Sequence, residues 1–126
     1  MEGIFVMDYI LLAGAALNFT GSIKMFMETC KTQPRGTDSD EYLQLKLFVT
    51  GVAATFGSLY LYLFFNPEFI VPFLLFGAAL KSWAFITSLF LFSRKILRIK
   101  AFAEFGISNG IVAVLFWILI GWKWPG

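Results

Sequence analysis

Four long apolar runs dominate this chain of 126 residues. They occupy about residues 4–27, 42–65, 69–92 and 101–122. An α-helix needs about 20 apolar residues to cross the hydrocarbon core of a bilayer, and each run reaches that length. Strands are much shorter, at about 4–8 residues, and a membrane barrel needs about eight of them. The pattern therefore predicts an all-α, polytopic membrane protein, a four-transmembrane-helix bundle built from two helical hairpins.

The composition agrees with a membrane location. Hydrophobic residues make up 59% of the chain and charged residues 14%, whereas soluble domains average about 45–50% and about 25%. A chain this short cannot hide such an excess in a soluble core, because small domains bury only about 60–70% of their surface. The length also indicates a single membrane domain that spans residues 1–126.

The remaining residue counts exclude several kinds of site. The net charge of +2 is too small for a nucleic-acid-binding protein. The chain has no His, which excludes haem–His, His–zinc and Glu-x-x-His di-iron sites. Cys30 is the single Cys, so a disulfide within the chain is impossible. We therefore expect no metal, no cofactor and no nucleic-acid partner, and the lipid bilayer is the first expected partner.

Three short polar connections separate the predicted helices. Residues 28–41 contain Pro34 and Gly36, which break helices, so we predict a loop that ends in an acidic cluster before helix two. Residues 66–68 (Asn-Pro-Glu) predict a tight turn that makes helices two and three an antiparallel hairpin. Residues 93–100 form a short basic connection. None of these segments has room for a soluble domain.

The distribution of basic residues predicts the orientation of the bundle. Two connections at one end carry six Lys and Arg residues, and the other end carries only Lys123. Because basic residues stay on the cytoplasmic side, we expect both termini on the exterior side, with an aromatic belt at the exterior interface. The six basic residues are Lys31, Arg35, Arg94, Lys95, Arg98 and Lys100, and the belt residues are Tyr9, Tyr60, Tyr62, Trp122 and Trp124.

Lys81 is the most informative single residue. It lies near the middle of the third run, about 12 residues or about 18 Å from either end of the predicted helix. An ionised Lys at this depth costs at least about 2.5–3.5 kcal/mol, so such a residue is a functional candidate by default. The alternative is a structural role, as a hydrogen-bond donor or as a long side chain that reaches outward to the interface.

Each of the other helices carries a polar residue at a similar depth. Asn18, Thr50 and Asn109 lie about 12–14 Å from the cytoplasmic ends of their helices, and Lys81 lies slightly farther out. We predict a polar layer of these residues, which are the candidates for ligand contact. Polar residues also hold membrane helices together, at about 0.6 kcal/mol each, so packing is the alternative. A water-bridged pair of Asp8 and Lys81 is a weaker alternative, because about 12 Å separates their depths.

A charge cluster is expected one turn inside the cytoplasmic boundary. Lys24 ends helix one, Lys46 begins helix two and Glu104 begins helix four. The positive end of its own helix dipole favours Glu104. A pair with Lys24 or Lys46 would tie three helices together. The alternative is that both lysines extend separately to the interface.

Stripes of small residues predict where helix backbones approach one another closely. Lys81 belongs to such a stripe, so we expect it to face protein, whereas Phe90, nine residues later, should face lipid. We also expect Gly51→Leu and Gly77→Leu to disrupt packing. The stripes are Gly14, Asn18, Gly21 and Ser22 in helix one, Gly51, Ala54, Thr55 and Ser58 in helix two, and Gly77, Lys81, Ala84 and Ser88 in helix three.

Two short segments carry a family-like pattern. Helix one ends in Gly21-Ser22-Ile23-Lys24, a Gly-x-x-Lys sequence, and residues 97–109 (LRIKAFAEFGISN) contain Lys-x-x-Ala-x-x-Gly. These segments resemble DoxX-like small four-helix membrane proteins, although the helices that carry them follow a different order. The resemblance implies the four-helix fold, and no residue role is transferred with it.

Three functions fit these residues. The first is a helical subunit or accessory factor of a larger membrane complex or homo-oligomer, since the chain is small and has few convergent polar groups. The second is a transporter or channel for a small solute or ion, built around the Lys81 layer. The third is a membrane enzyme that acts on a lipid or quinone through Lys81 and Glu104. Without His, a nucleophile–base pair is hard to assemble, so the residues favour the first two functions over an enzyme.

Overall fold

The computed structural model describes residues 6–31 and 37–125, with the backbone alone for residues 37–40. Within this part of the chain, four helices are long and apolar enough to cross a membrane. The predicted all-α, four-helix membrane fold is therefore confirmed. Short 3₁₀ turns precede the first and the third helix. The helices are α1 (Tyr9–Lys31), α2 (Thr37–Phe65), α3 (Ile70–Ser93) and α4 (Ile99–Lys123), and the turns are Val6–Asp8 and Pro67–Phe69.

The connection between α1 and α2 differs from the prediction. α1 continues to Lys31 and α2 already begins at Thr37, so the loop predicted at residues 28–41 is wrong over most of its length. Helices can continue beyond the apolar zone into water, so the end of an apolar run does not mark the end of a helix. Pro34 and Gly36 lie outside the described residues.

The other helix ends agree with the prediction to within about two residues. The predicted start of the first helix at residue 4 lies outside the described residues. The hydropathy pattern did not indicate a π-helical segment at Phe102–Ile107, within α4. A π turn changes the spacing of hydrogen bonds but leaves an apolar run unbroken, so hydropathy cannot reveal it.

The bundle consists of two hairpins, as predicted. α1 packs extensively against α2, and α3 packs extensively against α4. α2 and α3 contact one another far less, although only one turn separates them, so the Asn-Pro-Glu turn joins the two hairpins rather than forming one itself. Glycines allow the close pairs: a Cβ on Gly57 of α2 would lie 3.2 Å from the Cβ of Asn18, and one on Gly106 of α4 would lie 2.7 Å from the Cβ of Ser88.

The apolar core lies in one half of the bundle. We call this the terminal half, because it holds the start of α1, the α2–α3 turn and the end of α4; the opposite half is the connection half. Tyr60 and Phe116 are fully buried there, with ring centroids 4.7 Å apart. The predicted place of Tyr60 in an interfacial belt is therefore wrong. The core contains Leu11, Ala15, Tyr60, Leu63, Phe64, Ile70, Leu74, Ala78, Val112, Phe116, Leu119 and Ile120.

The small-residue stripes lie only partly at helix interfaces. A Cβ on Gly14 would come within 2.5 Å of the Phe116 ring, and one on Gly77 within 2.6 Å of the Tyr60 ring. Gly51 is exposed, and no atom apart from its chain neighbours and its own helix backbone lies within 4 Å of the place its Cβ would take. The packing role predicted for Gly51 is therefore wrong. Helical spacing identifies a stripe but not whether it faces another helix or lipid.

Candidate functional site

Lys81 lies in the middle of α3 with its ammonium group inside the bundle. Only 4% of the residue is exposed. The ammonium group donates hydrogen bonds to the Oδ1 atom of Asn18 on α1 and, over 2.8 Å, to the Oδ1 atom of Asn109 on α4. Its Nζ atom also lies 5.9 Å from the centre of the Tyr60 ring on α2. One side chain of α3 therefore contacts all three other helices.

Backbone carbonyl groups hold both asparagines in place. The Nδ2 atom of Asn18 donates to the carbonyl oxygen of Ala53 on α2 over 3.0 Å. The Nδ2 atom of Asn109 donates over 2.7 Å to the carbonyl oxygen of Phe105, one turn earlier on α4. Because a side-chain amide has separate donor and acceptor atoms, anchoring each NH₂ group leaves each oxygen directed at Lys81. The two acceptors are thus preorganised around the ammonium group.

Thr50 belongs to a different contact. Its hydroxyl donates over 2.8 Å to the carbonyl oxygen of Lys46, and its own carbonyl oxygen accepts a 2.8 Å hydrogen bond from the Ser22 hydroxyl. The predicted polar layer therefore includes Lys81, Asn18 and Asn109, and Thr50 helps to join α1 to α2 instead. Depth along a helix does not determine the direction in which a side chain points.

No carboxylate in the described part of the chain forms an ion pair with Lys81. The alternative of an Asp8–Lys81 pair is wrong, because Asp8 pairs with Lys123 at 3.2 Å. Two amide oxygens and a ring face are neutral partners. An ionised ammonium group in the membrane interior keeps much of its desolvation cost when only neutral groups surround it. A negatively charged group beside Lys81 would lower that cost.

A cleft of about 510 Å³ extends from Lys81 into the connection half. This volume lies in the usual range of small-molecule sites, about 300–1,000 Å³. Lys81, Asn18 and Asn109 are buried and form what we call the deep end of the cleft. The charged side chains of Lys24, Glu28 and Glu104 are about half exposed and form what we call its mouth. The walls between them are apolar and come from all four helices. They include Met25 of α1, Phe48, Val49 and Val52 of α2, Leu80 of α3 and Phe105 of α4.

Two ion pairs connect the helices near the mouth. Lys24 of α1 pairs with Glu104 of α4 at 3.1 Å, and this is one of the two predicted pairs. The Nζ atom of Lys100 lies 4.0 Å from the same carboxylate. The alternative pair of Glu104 with Lys46 is wrong, because Lys46 pairs with Glu28 at 3.1 Å. The polar surroundings of Glu28 predict a loop, whereas α1 continues past it and brings it beside α2.

The π-helical segment of α4 shapes one wall of the cleft. Glu104 and Phe105 lie within this segment and line the cleft. The carbonyl oxygen of Glu104 accepts a hydrogen bond from the Ser108 hydroxyl, and that of Phe105 accepts one from Asn109. Such side-chain bonds satisfy carbonyl groups where the regular helical pattern changes, and π turns are frequent at functional sites. The segment therefore positions both Asn109 and Glu104.

Sequence reasoning missed a buried ion pair at the opposite end of the bundle. Asp8 is fully buried, the Lys123 side chain is 8% exposed, and their charged atoms lie 3.2 Å apart. A signal was available, because the orientation prediction places Asp8 and Lys123 at the same end of the bundle. This pair joins the start of α1 to the end of α4.

Comparisons of the chain with protein-family models, curated proteins and solved structures found no match. The resemblance to DoxX-like proteins stays a prediction. The function is therefore inferred from the geometry of the cleft.

Proposed function

We propose that this protein is a membrane carrier for a small solute that binds in the cleft beside Lys81. The observation that supports this function is a buried Lys at the closed end of a cleft, without a carboxylate partner in the described part of the chain. Charged residues inside a membrane bundle commonly mark solute pathways. This is the second of the three functions that the sequence suggests.

The space beside Lys81 supports carriage over a purely structural role. Protein interiors are close-packed, and a lysine that only joins helices needs no cavity next to its ammonium group. Here Lys81 lines an open space whose walls between the deep end and the mouth are apolar. A solute with a polar group would complete the contacts of Lys81 and fill this space.

The two halves of the bundle support a one-sided opening. The terminal half is filled by the apolar core, and the cleft lies in the connection half. A site near the middle of the membrane that is closed on one side and open on the other is typical of carriers with alternating access. In this proposal the two hairpins separate at the terminal half when the solute leaves on that side.

The basic residues support an orientation for this carrier. The connections at the mouth of the cleft carry the excess of Lys and Arg, so the mouth faces the cytoplasm and both termini face the exterior. The solute then enters or leaves the cytoplasm directly through the cleft.

Cysteine labelling tests this function without knowledge of the solute. Ala84→Cys lines the cleft, and Ile86→Cys on the same helix is 54% exposed on the outer surface of the bundle as the matched control. Both are made in a Cys30→Ser background and treated in sealed vesicles of either orientation with a small, membrane-impermeant thiol reagent. We expect Ala84→Cys to react rapidly from the cytoplasmic face and more slowly from the exterior face. Labelling no faster than the control, or from one face alone, would contradict a carrier.

The function as a subunit or accessory factor stays a prediction with its own test. If the chain is such a subunit, a different membrane protein should co-purify with it in a mild detergent, at a fixed ratio to this chain. A homo-oligomer would instead give a larger particle that contains this chain alone.

A further inference from the structure

The deep end of the cleft offers one hydrogen-bond donor and one positive charge. A Lys ammonium group has three N–H donors, and Lys81 uses two of them for Asn18 and Asn109. The NH₂ groups of both asparagines already donate to backbone carbonyl oxygens. The solute group that fits here is therefore an acceptor with a negative charge, and a carboxylate meets both conditions.

The walls of the cleft require an apolar part in the same molecule. Val52 and Phe48 of α2 and Leu80 of α3 line it between the deep end and the mouth. A strongly hydrated ion or a sugar would place polar groups against these side chains without hydrogen-bond partners, which is costly. An alkyl chain avoids this cost. Because α2 and α3 contact one another little, the cleft has room for the alkyl chain of the solute between these two helices.

The depth of Lys81 favours a single-chain acid over a phospholipid. Lys81 is 11 residues from Ile70, the first residue of α3, which corresponds to about 16 Å of helix. Phospholipid headgroups lie at the interface, so a phosphate would have to move far into the apolar zone to contact Lys81. A carboxylic acid can enter that zone in its neutral form, which avoids the large cost of transferring an ion, and it can release its proton to water through the open end of the cleft when it binds as a carboxylate.

We infer that the solute is a single-chain amphipathic carboxylic acid, with its carboxylate beside Lys81 and its alkyl chain against the apolar walls. This inference rests on the proposed carrier function and names its substrate class. The paired mouth residues fit this assignment, because Lys24 and Lys46 already have carboxylate partners and leave Lys81 as the cation for the solute.

Binding of dodecanoate to the purified protein in nanodiscs tests the assignment. Radiolabelled dodecanoate is measured by equilibrium dialysis, with protein-free nanodiscs subtracted, and dodecanol and dodecylamine serve as probes of equal chain length. We expect saturable binding of one dodecanoate per chain, and weaker binding of the other two probes. Lys81→Met should weaken dodecanoate binding by about tenfold or more, the effect of losing a hydrogen bond to a charged group. Lys31→Met removes an exposed Lys outside the cleft and should leave binding within about twofold.

A second variant keeps the test decisive if Lys81→Met does not fold. Ala84→Phe fills the cleft without altering Lys81, and Ile86→Phe adds the same ring on the outer surface of the bundle. We expect the first to abolish dodecanoate binding and the second to preserve it. Equal binding of dodecanoate and dodecanol, or full binding by Ala84→Phe, would overturn the acid assignment. Displacement of dodecanoate by phosphatidylglycerol in the nanodisc would overturn the single-chain assignment in favour of a phospholipid.

Labelling separates a failure of this inference from a failure of the carrier function. Dodecanoate should protect Ala84→Cys from the thiol reagent. If that cysteine reacts from both faces and dodecanoate gives no protection, the carrier stands and the substrate class is wrong. If it reacts from one face alone, or no faster than the Ile86→Cys control, the carrier function itself is wrong.

Discussion

The terminal and connection halves of this bundle use the same four helices in different ways. In the terminal half, the rings of Tyr60 and Phe116 lie against the glycine positions of α1 and α3, and the core is continuous. In the connection half, each hairpin stays closely packed, but a cleft lies between the hairpins. There the hydrogen bond from Lys81 to Asn18 and the pair of Lys24 with Glu104 connect one hairpin to the other.

The two halves also treat buried charge differently. The terminal half buries Asp8 beside Lys123, so two opposite charges compensate each other. The connection half buries Lys81 against neutral oxygens and leaves open space beside it. Compensated charge joins helices, whereas an uncompensated charge beside a cavity attracts a ligand. The continuous core lies in the terminal half and the proposed binding site in the connection half, so single substitutions can separate their contributions.

The largest expected effect comes from the buried ion pair of Asp8 and Lys123, compared with the exposed pair of Lys24 and Glu104. Asp8→Ala removes the carboxylate that compensates a nearly buried Lys123, and should lower the free energy of unfolding by about 3 kcal/mol. Glu104→Ala breaks a pair whose side chains are 58% and 48% exposed, and should cost less than about 1 kcal/mol. Reversible unfolding in mixed micelles measures both values. Equal losses would remove the distinction between the two halves.

A smaller effect is expected from a glycine pair. Gly77→Leu forces a side chain into the Tyr60 ring of the terminal half, and overpacking of this kind costs about 1–3 kcal/mol. Gly51→Leu adds the same side chain at a position that no other helix contacts, so we expect a change within about 0.5 kcal/mol. Thermal denaturation in detergent compares the two variants. A destabilised Gly51→Leu protein would show that this face of α2 is covered by another chain.

Lys81→Met should affect stability less than Asp8→Ala or Gly77→Leu does. The variant loses the hydrogen bonds to Asn18 and Asn109, which contribute about 0.6 kcal/mol each. It also removes the unfavourable free energy of burying a charge, which offsets that loss. The free energy of unfolding should therefore change by less than about 1 kcal/mol. The same micelle unfolding experiment measures it. A loss of about 3 kcal/mol would instead make Lys81 a structural link between the hairpins, and the contrast between the halves would disappear.

Several features of the site could be predicted from local patterns. The small-residue stripe of α3 predicts that Lys81 faces protein, and similar depths in the membrane predict that Asn18 and Asn109 lie near it. Thr50 satisfied the same depth rule and yet contacts α1 instead, because helical rise gives a height and not a direction. Glu28 was missed as the partner of Lys46, because polar composition shows where the membrane ends and not where the helix ends.

The sequence by itself determined the four membrane-spanning helices, since the length of an apolar run and the thickness of a bilayer are both local quantities. It also placed a costly charge at the middle of α3. Only the tertiary structure decided that the hairpins are α1–α2 and α3–α4, that the core fills the terminal half, and that a cleft opens beside Lys81. These features depend on which faces of distant helices meet. The pairing of helix faces is a property of the whole bundle, and the spacing of residues within one helix does not contain it.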